Sequence, residues 1–208
     1  MTFTQDNAAD TAQTLTTALV TDNVDPQGHN RLKIQYPWDS DQNESYWARM
    51  ITFMSGDGFG AHFVPEIGDE VLVSFLNGDI ETPIIMGALW NDERTPPYEN
   101  THENSIRAIK SKNGHELILN DEDEGLKIEI KSSQGHKITL DDSGDKLSIE
   151  DKGGNSIIID SSQNSISIDS SMNIQINASG NLDIQSGGNT DIQAGGILTL
   201  SGSLVKIN

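Results

Sequence analysis

Five histidines, His29, His62, His102, His115 and His136, are the side chains best able to hold a metal or carry a proton, because the chain has no cysteine. No two of them stand at the spacing of a metal-ligand pair. His115 and His136 follow glycine at matching places in a repeat, so they fall in different layers. One His per chain on a three-fold axis could hold an ion; a turn or surface role is the simpler reading. Gly187-Gly188-Asn189-Thr190-Asp191 faintly resembles a calcium-binding nonapeptide repeat, but Asp183 and Asp191 recur without the Gly-x-Gly-x-Asp frame. Carboxylate pairs occur throughout, as 32 Asp+Glu in 208 residues dictates, and none stands out as an acid–base couple. There is no Ser-His-Asp context, phosphate loop or nucleophile elbow. The expectation is no catalytic residue, no metal and no cofactor, and a function carried by shape and assembly.

The bulk numbers narrow the classes further. The formal charge is −19, which disfavours nucleic acid and anionic membranes as binding partners and is most simply a device for solubility. Only 34% of the chain is hydrophobic, below the roughly 45–50% of ordinary domains. The apolar residues must be concentrated, or shared between chains. The N-terminal MTFTQDNAADTAQT has neither a basic nor an apolar region, so synthesis in the cytoplasm without a signal peptide is expected. No run approaches the roughly 20 apolar residues of a membrane span.

Four segments differ in style. Residues 1–16 read as a polar arm. Residues 17–95 hold all three Trp and every Phe except Phe3, and suit a barrel of the OB type. Its strands are expected at Ala18–Val24, Arg31–Tyr36, Tyr46–Phe53, Val71–Phe75 and Pro83–Leu89, by alternation and flanking turns. Asp25-Pro26-Gln27-Gly28 and Asn77-Gly78-Asp79 are turn signals. Trp38, Trp47 and Trp90 are expected in core or collar packing; a single-strand nucleic-acid groove would need basic residues beside them. Residues 96–113, with Pro96-Pro97, read as a linker or neck.

Residues 114–208 are a repeat. Units opening at Gly114, Gly135 and Gly154 read GHELIL, GHKITL and GNSIII, each with a second apolar pair further on. The period then tightens to eight in NIQINASG, NLDIQSGG and NTDIQAGG. An apolar pair at i and i+2 shares one face of a strand, and glycine permits the turn that follows. Two apolar side chains in eight residues cannot fill an interior alone. Three copies, each giving one inward pair per layer, can close a prism, which predicts an all-β homotrimer with an intertwined triple-stranded β-helix. The expected trimer core is Ile128, Ile138, Leu140, Leu147, Ile149, Ile157, Ile159, Ile166, Ile168, Ile174, Ile176, Leu182, Ile184, Ile192, Leu198 and Leu200. Thr190 interrupts the series, with a hydroxyl contact to its symmetry mates as its expected role. Three copies of −19 would make −57, much of it expected on the outer face, as at Asp141, Asp142, Asp160 and Asp169. A random polar tail would not hold Ile in register over such a length.

Val24-Asp25-Pro26, Gly28, Arg31-Leu32-Lys33-Ile34 and Tyr36-Pro37-Trp38 resemble the start of the baseplate central spike family. That family includes phage baseplate assembly protein V, the VgrG spikes of type VI secretion and the spikes of extracellular injection systems. Trp47-Ala48-Arg49-Met50, the run from Phe63 to Phe75, Gly78-Asp79, Pro83 to Gly87 and Asn91 extend the likeness through the barrel. Ser105-Ile106-Arg107 and Gly114-His115-Glu116 resemble the start of the spike. The likeness implies a trimeric OB collar on a triple-stranded β-helix, driven through a target envelope when a sheath contracts, with no enzyme activity in these modules.

Departures from the family shape the expected partners. There is no room for the large N-terminal hub module of VgrG, which implies a separate hub protein at the N-terminal side. Residues 96–108 leave no space for a lysozyme domain. No His follows His136, so the His-x-His iron tip is absent, and Leu204, Val205 and Ile207 present an apolar end for a PAAR-type tip protein. The expected setting is a virion tail or injection-particle baseplate with transient contact to the target membrane. A trimeric tail fibre or adhesin is the alternative, and a glycan-degrading β-helix enzyme a distant third.

Overall fold

The computed structural model describes residues 15–39 and 43–207; most of the expected arm at 1–16 lies outside the described residues. The described residues are all-β apart from one 3-10 turn, and they form two compact units that divide at Ile106/Arg107. None of their helices is long and apolar enough to cross a membrane.

The first unit contains β1 (Leu15–Asp22), β2 (Lys33–Gln35), β3 (Arg49–Met50), β4 (Ser55–Gly56), β5 (Phe59–Gly60), β6 (Glu70–Phe75) and β7 (Pro83–Leu89). Five of these form one sheet in the order β2-β1-β6-β7-β3. The two ends of that sheet meet. Leu32 and Ala48 exchange both backbone hydrogen bonds, at 2.9 and 2.8 Å, and Ser45 N–H donates to the Ile34 carbonyl at 2.8 Å. The sheet is therefore closed, and closure removes the edges that would invite aggregation.

Alternation fills the barrel. β6 buries Val71, Val73 and Phe75, β1 buries Ala18 and Val20, and Leu32, Ile34, Tyr36, Ala48 and Ile85 complete the core. That core is aliphatic with Tyr36 and Phe75, and the tryptophans stay out of it. Trp38 stacks on Tyr36 at 4.7 Å with a large exposed face, Trp47 lies beneath the cations of Arg31 and Lys33, and Trp90 is exposed. Inside an interior this narrow, period-2 aliphatics pack without leaving an indole N–H to satisfy.

Each expected strand has a counterpart, but the run expected at Tyr46–Phe53 keeps only β3, and the small β4–β5 hairpin lies beyond it. Asn77 and Gly78 both take positive φ, 55° and 77°, and Asp79 N–H donates to Leu76 O at 3.1 Å, a turn that suits Asn-Gly within the loop joining β6 to β7. The barrel unit closes at its far end through Asn91, whose side chain donates to Glu70 at 2.7 Å and accepts from Arg94 N–H at 2.9 Å. Arg94 in turn pairs with Asp69 and lies where a side chain at Gly68 would sit.

The second unit is a seven-stranded antiparallel meander: β8 (Ile106–Lys110), β9 (Glu116–Asn120), β10 (Lys127–Lys131), β11 (Lys137–Asp141), β12 (Lys146–Glu150), β13 (Ser156–Asp160) and β14 (Ser165–Asp169). β8 lies inside the stretch expected as linker, so the regular structure begins before Gly114. Each repeat read from the sequence is one hairpin of this sheet. Within the single chain, β9 to β13 take their backbone partners from sequence neighbours on both sides. Hairpins with short turns close at less entropic cost than pairing with a distant chain. Residues 172–207 carry no strand.

Candidate assembly face

Three matching turns set the register of the meander. Gly114, Gly135 and Gly154 take φ of 87°, 92° and 84°, a region that suits glycine. Ser111, Ser132 and Asp151 each receive the N–H of that glycine on their carbonyl, and their side chains accept from the next backbone N–H at 2.8–3.0 Å. His115 and His136 are the residues after the glycine in two of these turns. The ring of His115 accepts the Ser133 N–H at 3.3 Å, which ties one turn to the next. Their place is a turn, and they stand in separate hairpins. Asp151 has its carboxyl pulled below its usual range by the Asn155 backbone N–H and side chain.

With register fixed, the apolar pairs line up. Leu119, Ile128, Leu140, Leu147, Ile159 and Ile166 are cross-strand neighbours in one ladder. Leu117, Ile130, Ile138, Ile149, Ile157 and Ile168 form a second beside it. Nine of the expected core residues, Ile128, Ile138, Leu140, Leu147, Ile149, Ile157, Ile159, Ile166 and Ile168, thus share one face, joined by Leu117, Leu119 and Ile130. Every one of these twelve side chains is exposed, from 36% at Leu117 to 71% at Ile166. A contiguous apolar face of this size on a single-layer sheet marks an interaction surface.

The opposite face is polar and covers itself. Ile118, Glu129, Thr139, Ser148, Ile158 and Ser167 form its central column. Lys131 and Lys127 reach Glu129 at 3.1 and 3.6 Å, Lys137 reaches Glu150 and Lys146 reaches Asp160, both at 3.4 Å. Long lysine stems over the centre leave Ile118, Glu129 and Thr139 buried without a second layer. Asp160 has its carboxyl pulled down by the Ser162 hydroxyl first, with help from Lys146. Of the acids expected on the outer face, Asp160 is paired with Lys146, and Asp141 stands opposite Lys127 in the register. The residues 1–106 hold most of the net charge, with 17 acidic against 4 basic side chains, while 170–208 hold two acidic and one basic.

Beyond β14 the chain is pinned by Asn155, whose side-chain oxygen accepts from Ser170 Oγ and Ser171 N–H, both at 3.0 Å. From there Ile174, Ile176, Leu182, Ile184, Ile192, Leu198 and Leu200 are exposed, as are Leu204, Val205 and Ile207. None of them lies in a strand. Sequence reasoning treated the five histidines as scattered, yet His29 and His62 line one pocket in the barrel, with Asn30 Nδ2 3.3 Å from His62 Nδ1. No spacing rule signals a pairing made by a hairpin 33 residues downstream.

Residues 16–90 match the type VI secretion system/phage-baseplate injector OB domain. Through this domain the chain is similar to the VgrG-like baseplate spikes. It is 37% identical over 100 residues to the type VI secretion system spike protein VgrG1a of Pseudomonas aeruginosa, covering 45% of this chain and 16% of that protein. It is 34% identical over 129 residues to VgrG1c of the same organism, covering 55% and 18%. With the spike protein VgrG3 of Vibrio cholerae it shares 38% over 86 residues, covering 36% and 8%. The chain thus spans less than a fifth of each of these spike-family proteins.

Proposed function

We propose that this chain is the spike segment of a contractile injection apparatus, either a type VI-like system or a phage-type baseplate, and that it works as a homotrimer. The observation that carries this reading is the pair of unbroken apolar ladders on an uncovered sheet face. Bringing twelve partly exposed Leu and Ile side chains to full burial contributes on the order of 10 kcal/mol per chain, comparable to the whole stability of a domain. An interior strand of this sheet has no backbone group to offer another chain. Three such sheets therefore meet face to face through side chains alone, as the walls of a prism.

Residues 172–207 form the other regime. Their backbone is free of strand pairing, and each eight-residue unit offers an apolar pair except the one where Thr190 stands beside Ile192. That arrangement suits winding with two other copies into a triple-stranded β-helix cored by Ile174, Ile176, Leu182, Ile184, Ile192, Leu198 and Leu200. Strands wrapped around a common axis leave no edge open, which suits a rod that must withstand force. In this reading a separate hub protein seats the barrel collar, a PAAR-type tip protein covers Leu204, Val205 and Ile207, and the rod contacts the target membrane only in passing. The role is mechanical, with no catalytic step.

The test is the solution mass of the purified chain by light scattering, read with and without heating in detergent. A mass of three chains that survives cold detergent and falls to one on heating is the expected result. A folded monomer, or a dimer made by two sheets covering each other, would overturn the prism.

A further inference from the structure

The barrel unit has four basic side chains among its 17 acidic ones. Three are committed: Arg31 to Asp25 at 2.8 Å, Lys33 to Glu44 at 2.8 Å and Arg94 to Asp69. Arg49 makes no ion pair among the described residues and is exposed. It lines a pocket of about 670 Å³ between the turn that follows β1 and the β4–β5 hairpin. His29, Asn30 and His62 line it too, and Met54, Phe59 and Phe63 give it an apolar side. Among the described residues that line it, none is acidic. Asp57 sits at the hairpin tip outside the lining, and Asp25, behind His29, is 2% exposed and held by Arg31.

The wall is built for this shape. The Phe59 ring lies where a side chain at Gly56 would have to be, within 2.2 Å of the position of its Cβ. Gly60 stands against the Met54 carbonyl, and Thr52 Oγ1 donates to the Ala61 carbonyl at 3.0 Å. Phe59 and Phe63 remain 66% and 59% exposed on a surface that otherwise repels anions.

We propose that this pocket docks a short acidic and apolar peptide segment of a partner protein. A carboxylate of that segment takes the guanidinium fork of Arg49, and a neighbouring apolar side chain sits against Phe59, Phe63 and Met54. Charge complementarity selects the occupant. The site is an acid-free island in a strongly acidic unit, so one or two carboxylates are attracted locally while an extended polyanionic surface is repelled by everything around it. All of these residues lie in 28–64, so the proposal stands whether or not the sheet assembles into a trimer.

The experiment uses the full chain and a fluorescein-labelled pentapeptide alternating glutamate and leucine, read by fluorescence anisotropy. Saturable binding that weakens with added salt is expected, with at least a tenfold loss in Arg49→Gln, a several-fold loss in Phe63→Ser and no change in Lys152→Gln. Thermal melts show whether each variant is folded; Arg49→Lys, which keeps the charge and loses the fork, should bind at an intermediate level. Equal binding of the glutamine–leucine peptide, no binding, or indifference to Arg49→Gln would each overturn the proposal. So would Arg49-dependent capture of phosphatidylglycerol vesicles in place of the peptide, which would make the site one for lipid phosphates.

Discussion

Asp25 holds the turn after β1 to the start of the next strand. Its carboxylate accepts from the backbone N–H groups of Gln27, His29 and Arg31 and takes a two-point contact from the Arg31 guanidinium at 2.8 and 2.9 Å. The Arg31 contact above all holds its carboxyl far below the usual carboxylate range. A depressed carboxyl stabilises the fold at all pH above the ordinary carboxylate range, and that contribution is lost as pH falls through the depressed value. Asp25→Asn should therefore lower the melting temperature at neutral pH, and its gap from the parent should close only in strong acid; urea melts over a pH series measure it. Tyr36 behaves in the opposite sense. Burial pushes its phenol up to about 12, and its hydroxyl has no hydrogen-bond partner among the described residues. An acid whose folded value is raised costs stability as pH rises from about 10, the free phenol value, toward 12. Tyr36→Phe should remove that alkaline loss and gain about 1 kcal/mol at pH 8 by relieving an unpartnered hydroxyl, seen as a higher melting temperature with the gap widening above pH 10.

At the scale of elements, the hairpin is the unit of the second half. Glycine at positive φ turns the chain between hairpins, Asp145 and Asn164 take positive φ inside two of them, and the same phase of apolar pairs recurs in β9 to β14. One slip of register would carry both ladders to the polar face and the lysines to the apolar one. Ile149, in the middle of its ladder between Ile138 and Ile157, is the sensitive place to test the face. Ile149→Asp should reduce assembly by at least tenfold while leaving barrel stability unchanged, and Ile176→Asp should weaken the trimer through the winding segment instead. Sedimentation of the two variants separates these effects; unchanged assembly in both would count against the shared core.

At the scale of the whole molecule, the two units differ in how they satisfy their apolar residues. The barrel closes on itself and buries its own core, whereas the meander buries only Ile118 among its hydrophobic residues. Thermal unfolding should accordingly show two steps. The barrel step should be independent of protein concentration, and the step of residues 107–208 should move to higher temperature as concentration rises, because association contributes to its stability. Calorimetry over a hundredfold range of concentration is the check, and a single concentration-independent step would mean that each chain covers its face alone.

Much of this was legible in the residues themselves. Alternation at Val71, Val73 and Phe75 placed the barrel core, Asn77-Gly78 and Asp25-Pro26-Gln27-Gly28 placed turns, and the spacing of Ile128 from Ile130 or Leu147 from Ile149 placed each pair on one face. These are local signals, fixed by strand periodicity and by the few residues that tolerate positive φ. Pairing partners were not legible. Within the chain, tertiary structure decided that β9 to β13 pair with their own neighbours and that β8 begins before Gly114. It likewise set Lys127 and Lys146 against Asp141 and Asp160, kept the tryptophans out of the core, and brought His29 and His62 to the same pocket as Arg49. Each of those depends on which distant segments meet, a matter settled by closure of the barrel and the register of the sheet rather than by the identity of any one residue.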